Sequence, residues 1–149
     1  MKGLGLIEMN QELSHLCCES TSDNYLPVDP DLADELMAET DLLLEINGDN
    51  YVEAVEEFPG VVLLEVTSDW CETCAKAKYN LVLMRREYGD RINCVRMDLD
   101  ENMYIAEQLK VHRIPTLYFM KRGKVLEEME GCVTPDEVRA ALEKILKNE

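Results

Sequence analysis

The chain is poor in basic residues. Fifteen Lys and Arg stand against 31 Asp and Glu, giving a net charge of −16 over 149 residues. Such a surface repels nucleic acid and anionic membrane, which attract basic proteins, so neither is an expected partner. Long apolar runs are also missing: none approaches the ~20 residues needed to span a bilayer. The start, Met1 to Glu8, is apolar only briefly. Glu8, Asn10, Gln11 and Glu12 end it too early for an export signal, and the expected compartment is the cytoplasm. There is no internal repeat and no low-complexity tract.

What is present is a large apolar fraction, 46%, in a chain long enough for one domain with a packed core and an appendage. The division falls near residue 41. Residues 1–41 hold ten acids and a single base, Lys2, a net of −9. Ser20, Thr21, Ser22, Asp23, Asn24, Pro27 and Pro30 make the middle of that segment a loop, which short helices over Met9–Cys18 and Asp31–Met37 can flank. The acidic segment serves solubility or docks a basic partner.

Beyond residue 41, strand and helix patterns alternate. Leu42–Ile46 reads as a strand, Asn47-Gly48-Asp49 as a turn, and Tyr51–Phe58 as a helix stopped by Pro59-Gly60. Val61–Thr67 is apolar and rich in β-branched residues, as a buried parallel strand requires. Ala75–Tyr88 is a helix with Arg85 and Arg86 in its last turn and Gly89 as its stop. Ile92–Met97 is a strand and Asn102–Leu109 a short helix. Thr116–Met120 and Val125–Met129 form a hairpin across Lys121-Arg122-Gly123-Lys124. Thr134-Pro135-Asp136-Glu137 opens the last helix with a capping box. The order βαβαβαββα implies an α/β fold, a central mixed sheet with helices on both faces.

Six cysteines in a reducing compartment do not make a disulfide scaffold, and a close pair there is catalytic or metal-binding. Cys71 and Cys74, in Trp70-Cys71-Glu72-Thr73-Cys74, fall between a buried strand and a helix. A thiolate is the nucleophile of disulfide exchange, and the positive end of a helix favours it. Lys76 and Lys78 add positive charge. Cys71 is the expected attacker. Cys74, one turn on, is the expected resolving thiol, and together they form a redox-active Cys71–Cys74 disulfide. The same spacing occurs as half of a zinc site, which needs two more ligands. Cys17, Cys18, Cys94 and Cys132 are dispersed, and His15 and His112 are far in sequence from Cys71 and Cys74, so no metal is expected. Cys94 reads as core, Cys17 and Cys18 as incidental thiols or a second redox pair.

Over roughly residues 42–149 the sequence resembles thioredoxin. Trp70-Cys71-x-x-Cys74 is similar to the family's Trp-Cys-Gly-Pro-Cys, Ile114-Pro115-Thr116 to its cis-proline signature, and Lys121–Lys124 to its late hairpin. Gly131 resembles its glycine near the active-site groove. No gaps are needed from Cys71 to Gly131. The resemblance implies the thioredoxin fold and a protein-disulfide reductase that needs no cofactor beyond its own dithiol. It implies a cis Pro115 beside the dithiol, an Ile114 backbone that pairs with an extended substrate peptide, and Trp70 and Gly131 as contact surface. Protein disulfides would be the substrates, a thioredoxin-reductase-type enzyme the electron donor, and the monomer the working form. Cys132 would lie near the groove, as a small buried residue or a site of glutathionylation.

Departures from the family pattern are as telling. Glu72-Thr73 replaces Gly-Pro, and an acid beside Cys71 opposes the thiolate, which argues against a strong oxidant. Glu65 stands where the family carries a buried Asp, a carboxylate that can take the Cys74 proton. Arg96 stands at the accompanying Lys, so Glu65–Arg96 is either part of that relay or a simple ion pair. Tyr79 stands where the family often has a helix-kinking Pro. The alternatives to a reductase are a non-catalytic binding module, its acidic extension docking a basic partner, and a metal-binding Cys-x-x-Cys protein.

Overall fold

The computed structural model describes residues 34–35, 38–40, 42–68, 74–131 and 133–148, with the side chains of 74–76 left aside. The expected helix over Met9–Cys18 lies outside the described residues. Of the one expected over Asp31–Met37, only residues 34 and 35 are described, and both are helical.

Five strands form one sheet in the order β1-β3-β2-β4-β5: β1 (Leu44–Ile46), β2 (Val61–Thr67), β3 (Ile92–Asp98), β4 (Thr116–Lys121) and β5 (Lys124–Glu130). The two pairings of β3, with β1 and with β2, are parallel, while β2–β4 and β4–β5 are antiparallel. The sheet is therefore mixed, as the alternating pattern implies. Among the described residues of 42–148 the α-helices are α1 (Cys74–Tyr88), α2 (Met103–Leu109) and α3 (Pro135–Lys147).

All seven residues of β2 are buried, because the strand is central and covered on both faces. Val62, Leu64 and Val66 pack with Val95, Met97, Tyr118 and Met120 under Ala54, Val55 and Ala106. Val61 and Leu63 pack with Ile92, Cys94, Leu117 and Phe119 under Val82 and Met84 of α1 and Val138 and Leu142 of α3. The period-2 alternation of side chains sorts one strand into two cores.

Two elements differ from the sequence expectation. In place of a regular helix over Tyr51–Phe58, the chain makes a short π-helical turn, Val52–Glu56, closed by the Glu57 N–H on the Val52 carbonyl. The turn before it is tied by Asn47 Oδ1, which accepts from the Asp49 and Asn50 N–H groups, and by Asn50 Oδ1, which accepts from Asn47 N–H. Between that knot and Pro59-Gly60 the turn lays Ala54 and Val55 on the sheet. Second, β1 starts at Leu44 and not Leu42. Leu42 N–H donates to the Glu39 carbonyl and Leu43 N–H to that of Thr40, which carries helical turns past the compositional boundary and buries Leu43 on the α1 face.

Other boundaries agree within a residue or two. The hairpin turns on Arg122 (φ 52°) and Gly123 (φ 84°). Two successive positive φ values suit the right-handed twist of the strands, and glycine takes one at no steric cost. α3 carries the full capping box: the Thr134 hydroxyl accepts from Glu137 N–H, and the Glu137 carboxylate accepts from Thr134 N–H.

Candidate functional site

The register brings the chemistry-bearing residues to one end of the sheet. Thr67 closes β2, Asp98 closes β3, Thr116 opens β4 opposite Val66, and Glu130 closes β5 opposite Thr116. α1 opens at Cys74. Trp70, Cys71, Glu72 and Thr73 lie outside the described residues, as do Cys17, Cys18 and Cys132. What is described is the frame on either side of residues 69–73, the end of β2 and the start of α1.

That frame is tied down on both sides. Leu99 N–H donates to the Thr67 carbonyl at 2.8 Å, and the Ser68 hydroxyl, itself buried, donates to Asp100 at 2.6 Å. Asp98 Oδ1 accepts from the Asp100 and Glu101 N–H groups, and Asn102 Nδ2 donates to the Asp98 carbonyl. The loop after β3 thus braces the last described residues of the segment that leads to Cys71. Sequence reasoning overlooked Ser68 and Asp100. Their signal was the run Asp98-Leu99-Asp100-Glu101-Asn102, whose side chains bind nearby backbone in turns.

Across from α1, the Ile114–Pro115 peptide is cis. The carbonyl of Pro115 accepts from Gly131 N–H at 2.7 Å, and the Thr116 hydroxyl donates to the Arg113 carbonyl. Gly131 has φ +79°, a conformation strained for any other L residue. Ile114 and Pro115 are buried, while Arg113 and Gly131 are half-buried at the rim. Ile114, Pro115 and Gly131 are therefore neighbours: Pro115 and Gly131, 16 residues apart in sequence, are joined by one hydrogen bond.

Glu65 is buried on the α1 face, beside Arg96 in the parallel register and Leu117 in the antiparallel one. Its charge reaches the Cys94 thiol. Burial pushes that thiol up to about 12, Arg85 opposes the rise and Glu65 adds to it. Arg96 also lines a polar cavity of about 340 Å³ with Glu45, Thr67, Lys78, Asp98 and Glu101. Lys78, expected to lend charge to Cys71, shares this cavity with three carboxylates. α1 runs unbroken through Tyr79, which is buried against the sheet, and Asn80 Nδ2 donates to the Val133 carbonyl, locking α1 to the segment before α3.

Among the described residues there is no group of three or more His, Cys, Asp or Glu arranged to hold a metal ion. None of the described helices is long and apolar enough to cross a membrane.

A family model described as Thioredoxin matches residues 42–144. The chain is similar to Thioredoxin of Bacillus subtilis (strain 168), 32% identical over 93 residues that cover 62% of this chain and 89% of the relative. It is 33% identical over 84 residues to Thioredoxin-T of Drosophila melanogaster, covering 56% and 53%. It is 27% identical over 103 residues to Thioredoxin 2 of Plasmodium falciparum (isolate 3D7), covering 69% and 66%. The chain thus spans about half the length of the Drosophila relative and just under two thirds of the Plasmodium one.

Proposed function

Because the chain belongs to the thioredoxin family, we propose that it is a thiol-disulfide oxidoreductase that reduces protein disulfides through Cys71 and Cys74. What supports this most is the frame that flanks the Cys-x-x-Cys run in the chain: β2 before it ends in the braced Thr67 and Ser68, α1 opens at Cys74, and the cis Ile114–Pro115 peptide and Gly131 meet at that end of the sheet.

In this reading the Cys71 thiolate attacks one sulfur of a client disulfide. The client S–S bond breaks, a bond from Cys71 to the client forms, and the first client sulfur leaves as a thiolate that takes a proton. Cys74 then loses its proton and attacks Cys71 Sγ. The mixed disulfide breaks, the Cys71–Cys74 disulfide forms, and the second client thiol is released. The client gains two electrons and two protons, and the dithiol loses them. A flavin-dependent reductase of the thioredoxin-reductase type returns them, and no further cofactor is involved. Glu65 is the carboxylate we assign to accept the Cys74 proton, with Arg96 beside it. Trp70, Ile114 and Gly131 form the client contact surface. A monomer in a reducing compartment such as the cytoplasm is the setting this chemistry needs.

The test is a disulfide-reduction assay on the full chain. Cys71→Ser is expected to drop turnover to the uncatalysed background, and Cys74→Ser to accumulate mixed disulfides visible on a non-reducing gel. Full activity in Cys71→Ser ends the reading. The reduction potential sets the direction of electron flow: a value near about −270 mV marks a reductase, and one near about −120 mV an oxidant.

A further inference from the structure

Among the described residues, Arg113 is a cation with no acidic partner, in an acid-rich molecule. The chain holds 31 acids against 15 Lys and Arg. Arg86 is taken by Glu35 and Glu39, and Arg139 by Glu87 and Asp136. The Arg113 guanidinium makes no ion pair and no hydrogen bond among the described residues. Its position is nonetheless fixed. The Arg113 carbonyl accepts from the Thr116 hydroxyl, the next two residues are the buried Ile114 and Pro115, and Pro115 is held by Gly131 N–H. From this pinned loop the side chain reaches over Gly131: a Cβ placed there would lie 4.0 Å from Arg113 Nη1. Gly131 leaves that side of the rim open, and the guanidinium fills its edge.

The surroundings point to what this fork would take. A guanidinium presents paired donors that match a carboxylate bidentately, and a half-buried one is less screened than a surface pair. β5, which leads to Gly131, carries Glu127, Glu128 and Glu130, so a basic client segment is already provided for along the strand. Leaving aside Gly131's own chain neighbours, the one described side chain within 4.0 Å of a Cβ placed there is that of Arg113.

We propose that Arg113 is a specificity-determining residue that selects client disulfides with an Asp or Glu next to the attacked cysteine. The inference rests on the dithiol reading above and names the substrate class of that site. The net charge of −16 repels acidic clients at long range, so the preference is a contact effect. It is best seen near 0.15 M salt, where the Debye length is about 8 Å and the distant field is screened.

The experiment uses the full chain and two synthetic peptides, each with one disulfide, identical except for Glu or Lys flanking the cysteines. The measured quantity is the ratio of kcat/KM for the Glu peptide to that for the Lys peptide. The wild-type ratio is expected to favour Glu by about tenfold, the size of one charge-assisted hydrogen-bonded contact. Arg113→Gln should bring it near one, Arg113→Glu should invert it, and Arg113→Lys should keep part of it. A wild-type ratio of one, or an unchanged ratio in Arg113→Gln, overturns the assignment while leaving the dithiol chemistry standing. Turnover of neither peptide by the wild-type chain overturns the dithiol reading, and this assignment with it. A general loss of stability would lower both rates together and leave the ratio where it was.

Discussion

Cys94 shows what burial does to a thiol in this fold. It lies mid-strand on the α1 face of β3, with its thiol pushed up to about 12 chiefly by burial. Tyr88 behaves alike. Burial raises its hydroxyl to about 12, and donation to Glu143 adds to the rise. An unfolded thiol titrates near about 8.5 and an unfolded Tyr near about 10. Both folded values are raised, so the stability tied to the protonated forms is complete below the unfolded values. It is lost as pH rises toward about 12. The unfolding free energy is therefore expected to fall from about pH 9 to pH 12 in chemical denaturation. Cys94→Ala should show a shallower fall, with the Tyr88 contribution left. Native protein at pH 8 should leave Cys94 unlabelled by a thiol reagent, with labelling appearing in denaturant. Prompt labelling of Cys94 in the native state would contradict this account.

Among the elements, α3 is the one whose start is written most fully in the sequence. Thr134 caps it, Pro135 opens it and Glu137 closes the capping box. Val138, Ala141 and Leu142 then fall on the buried face. Thr134→Ala removes an acceptor for an otherwise orphaned N–H and should cost about 1 kcal/mol, read as a shift of the urea midpoint at unchanged slope. A change within error would mean the cap is idle. The region of Val52–Glu56 is the contrast. Its sequence suits an α-helix, but between the Asn47–Asn50 knot at one end and Pro59-Gly60 at the other the chain makes a π-helical turn. Such a turn depends on the distance between two anchors, which local propensity does not encode.

For the molecule as a whole, charge dominates over pairwise ion contacts. The described ion pairs involve Arg86 and Arg139, are largely exposed and contribute little each. Self-repulsion from a net −16 acts over the entire surface. Raising the ionic strength from about 0.01 to 0.15 M shortens the Debye length from about 30 to 8 Å and should raise Tm. A fall in Tm would mean that the ion pairs outweigh the repulsion.

Strand and helix identity outside Val52–Glu56 and the start of β1, the hairpin, the α3 cap and the two-sided burial of β2 were legible in residue order, because each rests on contacts between residues close in sequence or on the period of apolar positions. The candidate dithiol was legible for the same reason: its two members are three residues apart. The tertiary structure alone decided which distant residues share the end of the sheet at which β2 closes and α1 opens. Val66, Thr116 and Glu130 are aligned by strand register, Pro115 and Gly131 by one backbone hydrogen bond, Ser68 and Asp100 by another contact across 32 residues, and the Arg113 guanidinium is carried to the rim by the loop they hold. Such meetings depend on register and crossover, and no local pattern along the chain carries them.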